Sequence, residues 1–213
     1  MHKNIQILYD DQDILVVEKP AGVLAYPLPG KTEKTIGDMV GAMPVHRLDR
    51  DTSGIMILAK NEKAKAAMQK LFGERKIKKT YTALVQGRVE PSSGEINIPL
   101  GRGAKDRLRV VPKHSGRESA TAYKVTKYFP KNNMSLLSVD LKTGRTHQIR
   151  VHFASIGHPV VGDQKYSKKS VGGLKRQFLH ASEIGFTHPI TGENLYLKSE
   201  LPVDLNKYLF SLQ

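Results

Sequence analysis

The chain has 213 residues, 39% of them hydrophobic and 25% charged, enough apolar material to bury a core and too much for a disordered or collagen-like polymer. Its 34 Lys and Arg against 20 Asp and Glu leave a formal charge of +14, which points to a polyanionic partner. Cysteine is absent, which excludes disulfide frameworks, thiolate zinc sites and cysteine nucleophiles and suits a reducing, cytoplasmic setting; no apolar run before the acidic turn at Asp10-Asp11 is long enough for a signal peptide or membrane span.

Two strands, Ile5 to Tyr9 and Ile14 to Glu18, flank the turn Asp10-Asp11-Gln12-Asp13 and read as a hairpin. Lys19-Pro20-Ala21-Gly22 closes the second strand and opens a loop rich in Pro and Gly that runs to Lys31. Thr35 is placed to cap a short helix through about Met43. The polar segment His46 to Gly54 follows, too turn-prone for a core, and the apolar strand Ile55 to Ala59 holds its end. Asn61 and Glu62 open a helix with Ala64, Ala67, Met68 and Leu71 at helical spacing, ending near Gly73.

Alternating β-branched and aromatic residues predict strands over Thr80 to Gln86, Glu95 to Ile98, Thr121 to Phe129 and Leu136 to Leu141. Arg102 to Arg117 is a basic stretch interrupted by glycines. A helix is expected from Arg145 to about Ile156, with Ile149, Phe153 and Ile156 as its apolar stripe. Phe178 to Phe186 and Leu195 to Leu197 add strands, and Leu201 to Leu212 a terminal helix. Strands in groups with few βα alternations predict an α+β fold around a mixed, mostly antiparallel sheet, and no linker interrupts a single domain over residues 1–213.

The densest chemistry lies in His46-Arg47-Leu48-Asp49-Arg50-Asp51-Thr52-Ser53-Gly54, where two carboxylates, two arginines, a histidine and two hydroxyls share nine residues. Taken alone, the segment reads equally as an Asx turn with solvated arginines. It resembles the HRLDxxTSG signature of the RluA-type pseudouridine synthases, which isomerise uridine within folded RNA. The likeness continues in family order through Ile14 to Gly22, Lys79-Thr80-Tyr81, Leu141 to His152, Gly157 to Asp163, Leu179-His180-Ala181 and His188 to Glu193. It implies the pseudouridine synthase catalytic fold, without the small S4-type module that many relatives carry.

Carried over residue by residue, the resemblance makes Asp49 the essential carboxylate, Tyr81 the active-site tyrosine and Arg150 the arginine paired with Asp49. It also makes Arg47 the side chain that fills the space left by a flipped base. The chemistry is consistent with those roles. Extruding a stacked uridine costs roughly a few kcal/mol, and a guanidinium can replace the lost stacking. A carboxylate can attack the anomeric carbon or C6 of the ring, and a cation beside it keeps it ionised in a water-shielded pocket. A tyrosine offers a ring face to uracil and a hydroxyl for proton relay, as a glycal route requires. The residues leave the glycal and Michael-addition routes both open, and spacing alone leaves Arg145 as eligible as Arg150 for the ion pair.

Arg145, near a helix start, and Lys79, Arg102, Lys105, Arg107 and Arg109 are the candidate contacts to RNA phosphates, with Lys113, Arg117 and Lys168-Lys169 as possible extensions. No metal and no cofactor are expected. His46, His147 and His152 lack HExxH spacing or an acidic cluster, Gly101-Arg102-Gly103 is only a fragment of a dinucleotide fingerprint, and isomerisation consumes nothing. The expected partner is a stem-loop of transfer or ribosomal RNA, bound by a monomer away from any membrane. Two other functions are compatible with the residues: RNA binding without catalysis, and glycoside cleavage by Asp49 with Asp51, whose spacing on one turn is poor for flanking a bond.

Overall fold

The computed structural model describes residues 5–30, 32–104, 106, 109–167 and 173–213. Of the candidate RNA contacts, Lys105, Arg107, Lys168 and Lys169 lie outside the described residues. In chain order the elements are β1 (Gln6–Asp10), β2 (Ile14–Lys19), α1 (Ile36–Val40), β3 (Met43–Pro44), β4 (Ser53–Ala59), α2 (Glu62–Gly73), β5 (Lys78–Gln86) and β6 (Ser93–Asn97). They continue with β7 (Leu100–Arg102), β8 (Val110–Pro112), β9 (Ala120–Phe129), β10 (Met134–Leu141), α3 (Gln148–Ser155), β11 (Leu179–Thr187), β12 (Asn194–Lys198) and α4 (Val203–Phe210). The fold is α+β with mostly antiparallel strand pairing, as the sequence leads one to expect, and the chain divides into two compact units. Among the described residues no helix is long and apolar enough to cross a membrane.

The first unit comprises residues 1–79 and 181–201. Its strands neighbour one another in the order β1, β2, β4, β11, β12, with β3 added to β4. The β1–β2 hairpin forms because Asp11 Oδ1 accepts from the N–H groups of Asp13 and Ile14, at 2.8 and 2.7 Å, and so closes the turn. β2 and β4 pair antiparallel from Ile14↔Ala59 to Lys19↔Gly54. Both strands are buried almost throughout, which their continuous apolar sequences require. α2 is capped by Asn61, whose side chain accepts from Ala64 N at 2.8 Å, and it lays Ala64 and Met68 into a core with Ile14, Val16, Ile55, Ile57 and Phe186. Each fully buried side chain of this size contributes about 1.5–3 kcal/mol.

α1 is shorter than predicted. Thr35 and Asp38 form a reciprocal capping box, but Gly41 takes a left-handed φ of 68° and ends the helix, and Met43-Pro44 then pair with β4 as β3.

The second unit comprises residues 80–180 and 202–213. An antiparallel sheet in the order β5, β10, β9, β6 carries α3, whose Phe153 meets Tyr123 of β9 edge-on at 5.6 Å. The basic stretch is not wholly a loop: Leu100 to Arg102 and Val110 to Pro112 pair as a separate two-stranded hairpin, too short to show as alternation. α3 also begins later than predicted. Gln148 is buried, and its Oε1 accepts from Thr143 Oγ1 at 2.7 Å and Arg145 N at 2.9 Å, while its amide donates to Ala120 O and Thr121 Oγ1 of β9. The segment 143–147 is thereby wrapped around one side chain, and His147 enters the helix from a left-handed φ of 54°. At the other end Ile156 is 38% exposed, so the apolar stripe stops at Phe153.

Candidate active site

In the first unit, the segment from His46 to Gly54 is fixed from below. Lys19, the last residue of β2, has no exposed surface, and its ammonium donates to the carbonyl oxygens of Pro20, Val23 and Arg50 at 3.0, 2.9 and 3.0 Å. Three carbonyls match the three protons of an ammonium. Gly22 N donates to the same Arg50 carbonyl at 2.9 Å, so the Lys-Pro-x-Gly turn and the signature loop are bound to each other at the residue after Asp49.

Within the loop, side chains alternate between anchor and presentation. Leu48, Thr52 and Ser53 are buried, Asp49 is half-buried, and Arg47, Arg50 and Asp51 are exposed. Thr52 N donates to Asp49 O at 3.1 Å and closes a tight turn over Asp49 to Thr52. Arg50 is committed to structure through Gly22 O and an ion pair with Glu33 at 3.1 Å. Gly54 must be glycine: its φ is 116°, and a Cβ there would lie 2.3 Å from Ala181 O.

His46 closes the loop's other end. Its Nε2 accepts from Ile57 N at 2.8 Å, and its ring stacks on Phe72 with centroids 4.6 Å apart. Burial, with the Lys79 charge in support, pushes its pKa down to about 3, so the ring is neutral and serves as a fixed acceptor. Lys79, expected at a phosphate, is half-buried with its ammonium 5.7 Å from the Phe72 centroid, and burial lowers its pKa. Arg47 is exposed beside Tyr26, whose hydroxyl donates to Pro44 O at 2.8 Å; burial raises the Tyr26 pKa and the Arg47 charge opposes it.

In the second unit, Tyr81 lies on β5 opposite Val139 of β10 and is 7% exposed. Its neighbour Thr80 points to the other face and donates to Asp140 Oδ1 at 2.6 Å. Arg150 is 7% exposed. On α3 its guanidinium is buried in a bidentate pair with Asp163, Nε to Oδ2 at 2.7 Å and Nη2 to Oδ1 at 2.9 Å. Burial pulls the Asp163 pKa upward, but the hydrogen bond and charge of Arg150 and the N–H groups of Lys165 and Tyr166 outweigh it, and the carboxyl titrates below its usual range.

Arg145, Arg102 and Arg109 complete the described candidates in this unit. Arg145 precedes α3 by a turn, and its Nε donates to Glu118 O at 3.0 Å. Arg102 is exposed at the end of β7, and Arg109 caps the hairpin with its guanidinium over the Tyr166 ring at 5.2 Å.

Lys19 and Asp163 lie within the sequence motifs without a role marked for either, and Tyr166 lies outside those motifs. A lysine ending an otherwise apolar strand, and an aspartate at Gly162-Asp163 in a strongly basic chain, were the available signals.

Residues 13–155 match the family model described as RNA pseudouridylate synthase. An RNA pseudouridine synthase of Aquifex aeolicus, itself uncharacterized, is 42% identical over 93% of this chain and 70% of its own length. The ribosomal large subunit pseudouridine synthase D of Zymomonas mobilis is 37% identical, over 94% of this chain and 70% of the relative. Among solved structures, human RNA pseudouridylate synthase domain containing 1 superposes with a TM-score of 0.78 at 26% identity, covering 100% of this chain and 96% of that one.

Proposed function

The chain belongs to the RNA pseudouridylate synthase family, isomerases that convert uridine to pseudouridine in RNA, and from that premise we propose that Asp49 is its catalytic carboxylate, with Tyr81, Arg150 and Arg47 as its partners in the reaction. The reading is carried by one observation: the loop holding Asp49 is clamped through Arg50 O by a fully buried ammonium, an investment that a solvated turn does not need.

The isomerisation balances without a co-reactant. The N1–C1′ bond of uridine breaks, the C5–C1′ bond forms, the C5 proton leaves and N1 gains one. Asp49 provides the anionic oxygen that attacks C1′ or C6, or assists formation of a glycal. Arg150 supplies positive charge toward that carboxylate, and an arginine fork already squared by Asp163 can present a second edge in a fixed plane. Tyr81 stacks on uracil and relays a proton through its hydroxyl. Arg47, exposed beside Tyr26, occupies the place of the everted base. Arg102, Arg109 and Arg145, together with Lys79, Lys105 and Arg107, supply charge toward the phosphates.

The substrate we favour is a uridine in ribosomal RNA, the substrate named for the Zymomonas relative. The test is tritium release from ribosomal and transfer RNA transcribed with 5-tritiated uridine. The protein is expected to release tritium without added metal or nucleotide, and Asp49→Asn to reduce release by at least about a thousandfold while still retaining RNA on a filter. Release that persists in Asp49→Asn removes the carboxylate from its role. Free uracil among the products favours glycoside cleavage instead.

A further inference from the structure

Tyr166 has no part in the chemistry above, yet Arg150, Asp163, Arg109, Val110 and His147 all meet it. Its backbone N–H donates to Asp163 Oδ1 at 3.1 Å, the oxygen that also takes Arg150 Nη2. Its ring has the Arg150 guanidinium carbon 5.2 Å from the centroid and the Arg109 guanidinium carbon at the same distance. Its hydroxyl accepts from Val110 N of β8 at 3.1 Å and lies 2.8 Å from Nδ1 of His147, the residue that starts α3. Leu100, Val110 and Val151 pack around it.

Each contact answers a problem set by the fold. Two guanidinium groups on one ring repel each other, and the electron-rich ring face together with the Asp163 carboxylate offsets that repulsion. His147 enters α3 in a left-handed conformation with no side-chain cap, and its imidazole is tied down by the Tyr166 hydroxyl instead. The β7–β8 hairpin has only three residues in each strand, too little for independent stability, and the Val110 N–H bond to Tyr166 fastens β8 as the paired bonds of Leu100 with Arg117 fasten β7.

We propose that Tyr166 is a positioning residue that couples the seating of the basic β7–β8 hairpin to the orientation of Arg150. The ring supports the face of the Arg150 fork in the plane that Asp163 gives it, and the hydroxyl holds the hairpin that carries Arg102 and Arg109. Capture of the RNA backbone by the hairpin is then felt at Arg150 through Tyr166, beside the packing of Val151 on Leu100 and Val110. The inference rests on the catalytic reading of Arg150 given above.

The two halves of Tyr166 separate by substitution. Tyr166→Phe keeps the ring and loses both hydroxyl contacts, whereas Tyr166→Leu loses the ring as well. With ribosomal RNA transcripts and tritium release as the readout, Tyr166→Phe is expected to raise KM about fivefold with kcat held within about twofold, the scale of the one net hydrogen bond, from Val110 N, that seats the hairpin. Tyr166→Leu is expected to add a fall in kcat of about tenfold or more. Arg109→Ala should raise KM in the wild-type background and add little in Tyr166→Leu, because the ring that seats it is gone.

A simple packing role would move the two Tyr166 variants together with their melting temperatures and would not divide KM from kcat. Equal kcat in all three proteins overturns the proposal, as does a loss of kcat in Tyr166→Phe equal to that in Tyr166→Leu. If Tyr166→Leu does not fold, Tyr166→Phe and Tyr166→Phe with Arg109→Ala decide: fully multiplicative KM effects overturn the coupling. Failure of the wild-type protein to release tritium is a different outcome, which refutes the catalytic reading itself.

Discussion

Lys19→Met tests the claim that a buried ammonium holds the signature loop. Methionine matches the length of the lysine stem and leaves no gross cavity, so the change isolates the charge and its hydrogen bonds. The Arg50 carbonyl keeps its bond from Gly22 N, while the carbonyls of Pro20 and Val23 lose the donor they share in the native turn. Each orphaned carbonyl costs about 1–3 kcal/mol, and removing a charge from the interior returns part of that sum. The net loss expected is about 2–3 kcal/mol, or a fall in Tm of about 4–12 °C for a chain of this size. Activity should suffer further, because displacing Asp49 by about 1 Å can cost about a hundredfold in kcat/KM. Calorimetric unfolding and tritium release from ribosomal RNA transcripts measure the two effects on one preparation. A Lys19→Met protein with wild-type Tm and wild-type kcat/KM would refute the clamp.

Asp163→Asn leaves the Arg150 guanidinium buried beside a neutral amide and is expected to destabilise the protein by about 3–5 kcal/mol in urea titration at neutral pH; a loss under 1 kcal/mol contradicts the pairing. Because the folded-state pKa of Asp163 is depressed, its contribution is present above the unfolded carboxyl pKa and is lost as pH falls through the lower folded value. The gap between wild type and variant should therefore narrow only in the acid range below about 4. His46 behaves as a base held neutral: the unfolded ring takes a proton near its ordinary value of 6.5 and the folded ring only near about 3, so stability is full above the first and declines toward the second. Linkage between those values makes its share of the loss from pH 7 to pH 5 about 2 kcal/mol. His46→Gln, whose amide oxygen can still accept from Ile57 N, should show a flatter urea midpoint over that interval, and equal slopes in the two proteins would refute the neutral histidine.

The parts of the fold legible in the sequence are those set by local chemistry. Asn61 with Glu62 and a stripe at Ala64 and Met68 mark the start and the buried face of α2, and the apolar runs of β2 and β4 announce strands because burial on both faces permits little else. What escaped was set by contacts distant in the chain. The late start of α3 depends on Gln148 bonding to Thr143 and to β9, a choice made by tertiary hydrogen bonds against an otherwise acceptable helical sequence. β7 and β8 are three residues each and pair across a basic tip, so neither shows a period. At the candidate site, Asp49, Tyr81 and Arg150 are picked out by resemblance alone. Lys19, Asp163 and Tyr166 were missed because the groups they hold are 31, 13 and 56 residues away, at Arg50, Arg150 and Val110.

The two buried cations show why lysine and arginine are not interchangeable here. Lys19 faces three carbonyl oxygens that converge on a point, which a compact ammonium with three rotatable protons satisfies and a planar guanidinium cannot. Arg150 faces one carboxylate edge-on, so its position and its plane are both fixed, and a fixed plane is what gives a fork direction toward a second anion. In each unit the neutralising groups are themselves held by backbone: the Arg50 carbonyl by Gly22 N, and the Asp163 carboxylate by the N–H groups of Lys165 and Tyr166. A catalytic side chain set this way gains its accuracy from main chain rather than from other mobile side chains, which is the condition for holding geometry within about 0.5 Å.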